Sequence, residues 1–354
     1  MKKPSIWLVF ILYLLIFVIA GVVFYFKYLN QFLSSNATPI QMNTLAPASY
    51  LYYSEGNNLY RFEPTSSNNI AEVRLEPLLK TGKVNHFVLD KTRLWGFYEL
   101  GSNGKTEIWQ IDMADKKSTA IASSSQINFQ GFENFSQPKI SPDNTKLALV
   151  GKNQKLDVVF IKNLSDNSLL KLGESLSSKI SDYSWTDDSK NILLCSSNLL
   201  KNACWQVDLK TRTPAQIFEA EVRQISAETG KIIYLAKTDT YHLFNLKKTG
   251  QVPEQIDNLT PPKEIVSFQT NPSGQKIVYE VKEGLKTDIY ESNLDGANRL
   301  QLTTDGTSSQ PLYSPDGQKI AFLKDDGLYW IGSSKSAQKI LNLAVPADYL
   351  LNWR

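Results

Sequence analysis

Hydrophobic residues follow two different patterns along this chain of 354 residues. Residues 6–26 form one uninterrupted run of 21 apolar, aromatic or glycine residues. As an α-helix that rises ~1.5 Å per residue, this run would span roughly 30 Å, the thickness of the apolar part of a bilayer. From about residue 49 onward, apolar residues instead alternate with polar ones over short stretches that turn residues separate, which predicts β-strands.

The long apolar run is predicted to be an uncleaved transmembrane signal anchor. Lys2 and Lys3 precede it, and Lys27 follows it. A cleavable signal peptide is the alternative, but its apolar stretch is usually about 7–15 residues long and ends in small residues. This run is longer and ends in Val-Val-Phe-Tyr-Phe. Because positive charge stays inside, we expect a cytoplasmic stub of residues 1–5 and an extracytoplasmic position for everything after the anchor.

The alternating stretches belong to an internal repeat. Each copy is a turn followed by an apolar strand, as in Tyr313–Phe322, and then a strand with an apolar and an aromatic residue, as in Ile289-Tyr290. The first apolar strand positions of successive copies are Leu51, Leu94, Leu147, Ile192, Ile232, Ile277 and Ile320. Repeats of about 40–50 residues that contain only strands are typical of β-propellers.

We therefore predict an all-β fold, a seven-bladed β-propeller over residues 49–354, preceded by one N-terminal transmembrane helix and a linker at residues 27–48. A six-bladed ring is the alternative, if the copy at Leu51 is not a full blade. That copy lacks an inner strand of its own, and residues 347–353 look like an inner strand with no strands after it. Ring closure by this C-terminal strand would complete one blade and remove an open sheet edge.

The repeats resemble those of the TolB-type, WD40-like β-propeller family. The resemblance rests on Leu302-Thr-Thr-Asp-Gly-Thr, on Pro311–Phe322 and on Ile289–Gly296, and it covers residues 49–354. It implies the fold but not one function, because related propellers occur in periplasmic TolB, in the non-catalytic domains of prolyl oligopeptidase-like peptidases and in certain lyases. TolB carries a small α/β domain before its propeller and is released by signal cleavage, whereas this chain has an anchor and a linker there. The role of TolB with peptidoglycan-associated lipoprotein is therefore not transferred.

The charge of the chain restricts its partners. Lys and Arg number 38 and Asp and Glu 35, so the formal net charge is +3. The lysines of the first 27 residues account for the whole excess, and the remaining body is neutral. A nucleic-acid-binding protein needs a basic surface, so no nucleic-acid partner is expected. A neutral body would not attract an acidic wall polymer as a whole either, and a local patch would have to bind it.

The two histidines are weak candidates for chemistry. His242 falls at the position that is aromatic in the other copies, so we interpret it as a packed ring. His86 lies in a predicted inner strand and could face the central channel. It has no second histidine and no cysteine in its repeat, so a metal site there is not expected. We also expect no cofactor and no catalytic residue.

Cys195 and Cys204 are the two cysteines of the chain. They flank a predicted hairpin, where cross-strand partners lie close enough for a disulfide, and an exported domain meets an oxidising environment. Two packed thiols are the alternative interpretation. A nucleophilic cysteine is disfavoured, because no histidine lies nearby in sequence.

Other repeated residues have structural interpretations. Four aspartates recur at turns, where Asp binds local backbone groups: Asp143, Asp188, Asp295 and Asp316. An insertion at residues 123–137 carries three phenylalanines, and we expect a packed cluster there rather than a partner contact. No G-x-S-x-G sequence occurs, which argues against an attached serine peptidase.

Two functions follow from these patterns. The first is a membrane-anchored extracytoplasmic propeller that acts as a non-enzymatic binding or scaffold module, with a protein or cell-envelope component on a propeller face. The alternative is a channel-mouth enzyme, a lyase or hydrolase that acts on envelope polysaccharide. Three or more acid–base groups with raised pKa values in one channel pocket would favour the enzyme.

Overall fold

The computed structural model describes residues 51–55, 58–62, 70–73, 83–92, 94–115, 117–176, 179–197, 201–247, 251–332, 335–342 and 351–353. In these ranges, no helix is long and apolar enough to cross a membrane. The predicted anchor and linker lie outside the described residues. Ser49–Arg354 forms one compact unit.

In the described ranges, 28 strands form seven four-stranded antiparallel sheets. The strands are β1 (Leu51–Glu55), β2 (Asn58–Phe62), β3 (Ile70–Val73), β4 (Lys83–Leu89), β5 (Trp95–Ser102), β6 (Lys105–Asp112), β7 (Ser118–Ala122), β8 (Asn134–Ile140), β9 (Lys146–Lys152), β10 (Asp157–Asn163), β11 (Leu169–Leu172), β12 (Lys179–Trp185), β13 (Asn191–Ser197), β14 (Asn202–Asp208), β15 (Pro214–Glu219), β16 (Glu221–Glu228), β17 (Lys231–Lys237), β18 (Tyr241–Leu246), β19 (Glu254–Gln255), β20 (Lys263–Thr270), β21 (Lys276–Glu283), β22 (Lys286–Asn293), β23 (Leu300–Gln301), β24 (Ser309–Tyr313), β25 (Ile320–Lys324), β26 (Gly327–Ile331), β27 (Ala337–Asn342) and β28 (Leu351–Trp353). Two short 3-10 turns, Ile127–Phe129 and Glu174–Leu176, connect strands.

Strand order shows how the ring closes. Sheet 1 combines β28 with β1–β3, and sheets 2–7 each take four consecutive strands, from β4–β7 to β24–β27. The last strand pairs with the first, with Tyr52 opposite Asn352, and it lies beside β24 and β4, the first strands of the two neighbouring sheets. The all-β propeller is therefore confirmed, and the C-terminal strand takes the innermost place in the sheet that contains the start of the described chain.

The sheets pack face to face through apolar side chains. The second strand of sheet 3 is buried over Leu147–Val150 without alternation, because neighbouring sheets cover both of its faces. The phenylalanines of the insertion lie in the same core: the rings of Phe129 and Phe132 are 5.0 and 5.1 Å from that of Phe160, and Phe135 is fully buried. The predicted packed cluster is confirmed.

The second repeat starts two residues later than the pattern indicated. Leu94 lies in a turn before β5 and is 56% exposed. The strand position that Leu147 takes in sheet 3 is occupied by Gly96 in sheet 2. A Cβ atom on Gly96 would lie 2.7 Å from the ring of Phe87. This ring therefore fills the space that an apolar side chain fills elsewhere.

The interpretation of His242 as a replaced aromatic ring is wrong. Phe244 lies opposite Tyr234 and stacks on it, with ring centroids 5.3 Å apart. His242 lies two residues earlier, opposite Ala236. The spacing of apolar and aromatic residues does not set the register of a hairpin; the turn at residues 238–240 sets it.

Candidate functional site

The first strands of five neighbouring sheets line a central cavity of about 570 Å³. Its wall comes from β4, β8, β12, β16 and β20 and contains charged and polar groups, among them His86, Lys139, Asp182, Arg223 and Gln224. A second cavity of about 480 Å³ is lined by the turns that follow these strands and shares Lys139 and Ser184 with the first. Both cavities belong to the channel at the centre of the ring.

A β-bulge interrupts each of these lining strands. In sheets 2–7 the pairing of the first strand with the second shifts register, for example between Val84 and His86 and between Ile180 and Asp182. A bulge bends the strand and re-aims the side chains beside it. At the first paired position after the bulge, five of these six sheets carry a polar residue: His86, Lys139, Asp182, Gln224 and Ser267.

Polar side chains of one sheet bind the main chain of the next. The first strand of a sheet is its edge, so N–H groups on the channel side have no strand partner. Asp182 Oδ2 accepts a hydrogen bond from the N–H of Ile225 at 2.8 Å. Gln224 Oε1 accepts from the N–H of Phe268 at 3.1 Å, and Gln224 Nε2 donates to the carbonyl of the same residue at 2.8 Å.

Two buried glutamates make the same kind of contact at sheets 2 and 6. Glu99 Oε2 accepts a hydrogen bond from the N–H of Gln137 at 3.0 Å, and Glu280 Oε2 accepts one from the N–H of Gln310 at 3.0 Å. Both glutamines have left-handed backbones, with φ of 55° and 52°, which is uncommon outside glycine. The inter-sheet bridges are defined as the contacts of four side chains with the next sheet: Glu99, Asp182, Gln224 and Glu280.

The surroundings shift the pKa values of the two glutamates in opposite directions. Burial raises the pKa of Glu280, and the hydrogen bonds that it accepts oppose this only in part. Burial also acts to raise the pKa of Glu99, but the hydrogen bond and the charge of His86 and the N–H of Gln137 outweigh it and lower the pKa. Glu99 is therefore the stronger acid of the two.

His86 lies on the cavity wall with its side chain 48% exposed. Its Nδ1 is 2.8 Å from Glu99 Oε2. Its other ring nitrogen, Nε2, has no hydrogen bond to the described residues. A histidine in this position can donate or accept a hydrogen bond toward a channel ligand while Glu99 orients the ring.

The other ionisable groups of the described wall already have partners. Lys139 Nζ lies 2.7 Å from Asp182 Oδ1, and the guanidinium of Arg223 lies 3.6 Å from the ring centre of Tyr241. Asp182 is the one carboxylate in the described lining. The wall therefore does not bring together three acid–base groups with raised pKa values. Nor does any group of three or more His, Cys, Asp or Glu residues suited to a metal ion occur among the described residues.

Cys195 and Cys204 form a disulfide between β13 and β14, where they are directly opposed. Both are buried and pack against Val222 and Tyr234 of sheet 5. They do not line either channel cavity.

His242 is buried between two carboxylates in sheet 5. Its Nδ1 is 2.7 Å from Asp257 Oδ1, and its Nε2 is 3.0 Å from Asp239 Oδ1. Asp257 also accepts a hydrogen bond from the N–H of Leu243 at 2.7 Å. Burial acts to lower the pKa of His242, but the hydrogen bonds and charges of both aspartates outweigh it and raise the pKa. The group ties β18 to the segment that leads into sheet 6.

The repeated aspartates hold turns, as their positions predicted. Asp143 Oδ1 accepts from Ser141 Oγ at 2.6 Å, and Asp188 Oδ1 accepts from Thr186 Oγ1 at 2.6 Å. Asp316 makes the same contact with Ser314. Asp295 accepts from the N–H of Ala297 at 3.0 Å. These carboxylates are used within their own turns.

Sequence reasoning missed the inter-sheet bridges. One signal was present for the glutamates: Phe97-Tyr-Glu-Leu100 and Val278-Tyr-Glu-Val281 each place one carboxylate inside an otherwise apolar strand. Such a carboxylate must find a partner when it is buried. Nothing in the sequence indicated that the partner would be the main chain of the following sheet.

Comparison with known proteins identifies the fold. No protein-family model and no curated protein matches the chain. Among solved structures, a prolyl endopeptidase matches with a TM-score of 0.64 and 11% identity, over 85% of this chain and 50% of the other. The oligogalacturonate lyase of Vibrio parahaemolyticus matches with a TM-score of 0.61 and 13% identity, over 82% and 86%. TolB of Acinetobacter baumannii matches with a TM-score of 0.52 and 12% identity, over 83% and 78%.

These similarities establish a β-propeller fold, which TolB shares, and nothing finer. Identities of 11–13% support the fold alone. The match spans half the length of the prolyl endopeptidase. The three proteins also differ in function, as two are enzymes by name and TolB is not named as one.

Removal of one inter-sheet bridge should destabilise the ring. In Asp182→Ala the buried N–H of Ile225 loses its acceptor and Lys139 loses its ion-pair partner, so we expect the free energy of unfolding to fall by about 2–3 kcal/mol. The control is Asp325→Ala, an exposed hairpin carboxylate, which should change it by less than about 0.5 kcal/mol. Urea denaturation of both variants measures the difference, and equal midpoints would contradict the role of the bridge.

The His242 group should make stability depend on pH. Because folding raises the pKa of His242 above its ordinary value of 6.5, its contribution is complete below the pKa of the unfolded chain and is lost as pH rises through the folded pKa. The stability difference between the wild type and His242→Gln should therefore shrink between pH 5 and about pH 9. Denaturation at intervals across this range measures it. A difference that stays constant or grows with pH would show that the imidazolium does not stabilise the fold.

Proposed function

We propose that this protein is a membrane-anchored, extracytoplasmic β-propeller that acts as a non-enzymatic binding or scaffold module for a protein or cell-envelope partner. In this proposal residues 6–26 form the membrane helix, and each of the seven sheets is one blade. The observation that carries it is the central cavity, whose polar wall is held in place by inter-sheet bridges and is open to a ligand.

The location is supported by the apolar run and by the disulfide. Lysines flank both ends of residues 6–26, and the pair at the N-terminal end favours an inside position for that end. Disulfides such as that between Cys195 and Cys204 persist in oxidising compartments and are rare in the cytosol.

Binding is supported by the state of the wall groups. Side chains that are already fixed by hydrogen bonds lose little freedom when a ligand binds, which favours affinity. Asp182 and Lys139 are engaged with each other and with the main chain, so neither is a free acid or base. Such a wall suits recognition better than proton transfer.

The alternative function is a channel-mouth enzyme, and one contact favours it. A carboxylate that orients an imidazole is a common arrangement for a general base, and Glu99 lies against His86 at the cavity wall. Glu99 is also committed to the N–H of Gln137. The described wall offers no second acid–base group without a partner, so binding remains the preferred function.

Topology is the first property to test. In the full chain with a C-terminal β-lactamase reporter, we expect activity outside the cytoplasm, because residues 6–26 place the body there. In the denatured chain, Cys195 and Cys204 should react with a maleimide only after reduction. Replacement of Lys2 and Lys3 by glutamate is the matched control and should reduce export. A reporter confined to the cytoplasm, or cysteines that react before reduction, would contradict the proposed location.

The partner should contact the channel face. A photo-crosslinking amino acid placed in the full chain at Ser226 or His86, which line the cavity, should give adducts of defined mass in intact cells. The control position is Leu285, a hairpin residue that is 99% exposed. Gel mobility and mass spectrometry identify the adducts. The same adducts from Leu285, or none from the channel positions, would contradict binding at the channel.

A further inference from the structure

A cleft of about 600 Å³ opens between sheets 2 and 3, separate from the channel. Trp95 and Gln110 of sheet 2 and Lys162 of sheet 3 line it. None of these residues lines a channel cavity or takes part in the inter-sheet bridges. The volume lies within the range of about 300–1,000 Å³ that is usual for small-molecule sites. We call this site the rim cleft.

Lys162 departs from the internal repeat. Alternation along β10 places it on the same face as Val158 and Phe160, which pack against sheet 2. The equivalent residues of sheets 2, 4, 5 and 7 are apolar and buried, namely Ile111, Val207, Leu246 and Ile331, and sheet 6 has the buried Ser292. A cation therefore stands where these five sheets carry a buried, uncharged side chain.

Trp95 also departs from the repeat, because it places an apolar ring where five other sheets have a polar side chain. It is the residue just before the first buried position of the second strand in sheet 2 and is 39% exposed. The equivalent residues of sheets 3–7 are polar: Lys146, Asn191, Lys231, Lys276 and Lys319. An aromatic ring therefore stands on the surface where the repeat places a lysine or an asparagine. Both departures face the same cleft.

Three polar side chains of the rim cleft have no protein partner. In the described part of the chain, Lys162 Nζ, the Gln110 side-chain amide and Trp95 Nε1 form no hydrogen bond or ion pair. Burial lowers the pKa of Lys162, because no carboxylate compensates for the lost water. The exposed Lys117 adds a second cation; its Nζ lies 3.5 Å from Asp115 Oδ2, an exposed pair, and no acidic residue belongs to the described lining itself. The cleft is therefore complementary to an anion.

We infer that the rim cleft binds an acidic saccharide, a sugar unit that carries a carboxylate. Lys162 and Lys117 pair with the carboxylate, since ion-assisted hydrogen bonds are the stronger kind. Gln110 bonds the hydroxyl groups, and the ring of Trp95 packs against the apolar C–H face of the sugar. This inference rests on the proposed binding function. It also supplies the local basic patch that a neutral body needs for an acidic envelope polymer.

A saccharide fits these groups better than a small anion does. Inorganic phosphate would use the lysines but would leave the ring of Trp95 and the apolar floor formed by Ile121 and Phe129 without contact. A neutral sugar would use the ring but would leave Lys162 unpaired. The combination of an aromatic platform with an unpaired ammonium matches a sugar carboxylate.

Matched ligands separate these possibilities by calorimetric titration of the full chain in detergent. A β-1,4-linked glucuronic acid tetramer is the acidic probe, and cellotetraose is its neutral counterpart. Inorganic phosphate tests the charge alone. We expect the acidic tetramer to bind at least about tenfold more tightly than cellotetraose, as one charged hydrogen bond predicts, and to bind less tightly as salt concentration rises.

Three variants assign the binding to the cleft. Lys162→Met should weaken binding of the acidic tetramer about tenfold or more and remove the preference over cellotetraose. Trp95→Ala should weaken both tetramers. Lys210→Met, which removes an exposed lysine of sheet 4, is the matched control and should bind like the wild type. Circular dichroism and unfolding midpoints of all three show whether they remain folded.

The inference is overturned if the wild type binds neither tetramer, binds both equally, or binds phosphate as tightly as the acidic tetramer. It is also overturned if folded Lys162→Met binds like the wild type. Failure of the proposed function is distinguishable, since the channel crosslinks and the reporter topology do not depend on the rim cleft. Adducts at Ser226 without saccharide binding would support binding at the channel and would contradict the saccharide site in the rim cleft.

Discussion

The ring depends on how the edge strand of each sheet satisfies its main chain. The first strand has no partner on its channel side, and a buried N–H without an acceptor costs about 1–3 kcal/mol. Asp182 supplies an acceptor for Ile225, and Gln224 supplies one for Phe268. Donor and acceptor belong to different sheets, so each bond that satisfies an edge also joins two sheets. The same groups that keep the inner strands in place therefore set the spacing of the ring.

This use of polar groups limits what the channel can do chemically. A general acid or base needs a proton that is free to move, whereas Asp182 is held by Lys139 and by the main chain. Glu99 and Glu280 occupy equivalent places, yet their pKa values move in opposite directions, because at Glu99 burial is outweighed by the hydrogen bonds and charge of its neighbours, His86 foremost and Asn85 as well. The difference lies in the neighbouring side chains and not in the backbone. Among the described wall residues, His86 is the ionisable group that does not bind the main chain of the next sheet and still has a ring nitrogen without a hydrogen bond.

The sequence was sufficient for the propeller and insufficient for the walls of its channel. Alternation and turn residues predicted the strands, and Asp143 shows that a local hydrogen bond can be inferred from spacing alone. The register of the hairpin in sheet 5 was harder to predict, since Phe244 and not His242 takes the aromatic position. The inter-sheet bridges join residues 30 to 44 positions apart, such as Asp182 and Ile225. No local pattern encodes such a pair, because the bulges decide which side chains meet.

Because the sheets repeat within one chain, residues at equivalent positions can be compared, and the comparison separates residues that the fold needs from residues that it does not need. Groups that recur at equivalent places, such as Glu99 and Glu280, serve a need that all sheets share, and here that need is the unpaired main chain of the next strand. A departure that satisfies no such need requires a different explanation. Lys162 and Trp95 replace residues that suit the repeat better, and they gain no partner within the described protein. Partial burial of an unpaired ammonium costs free energy, and a bound anion would recover part of that cost, so this departure from the repeat supports the proposed ligand site.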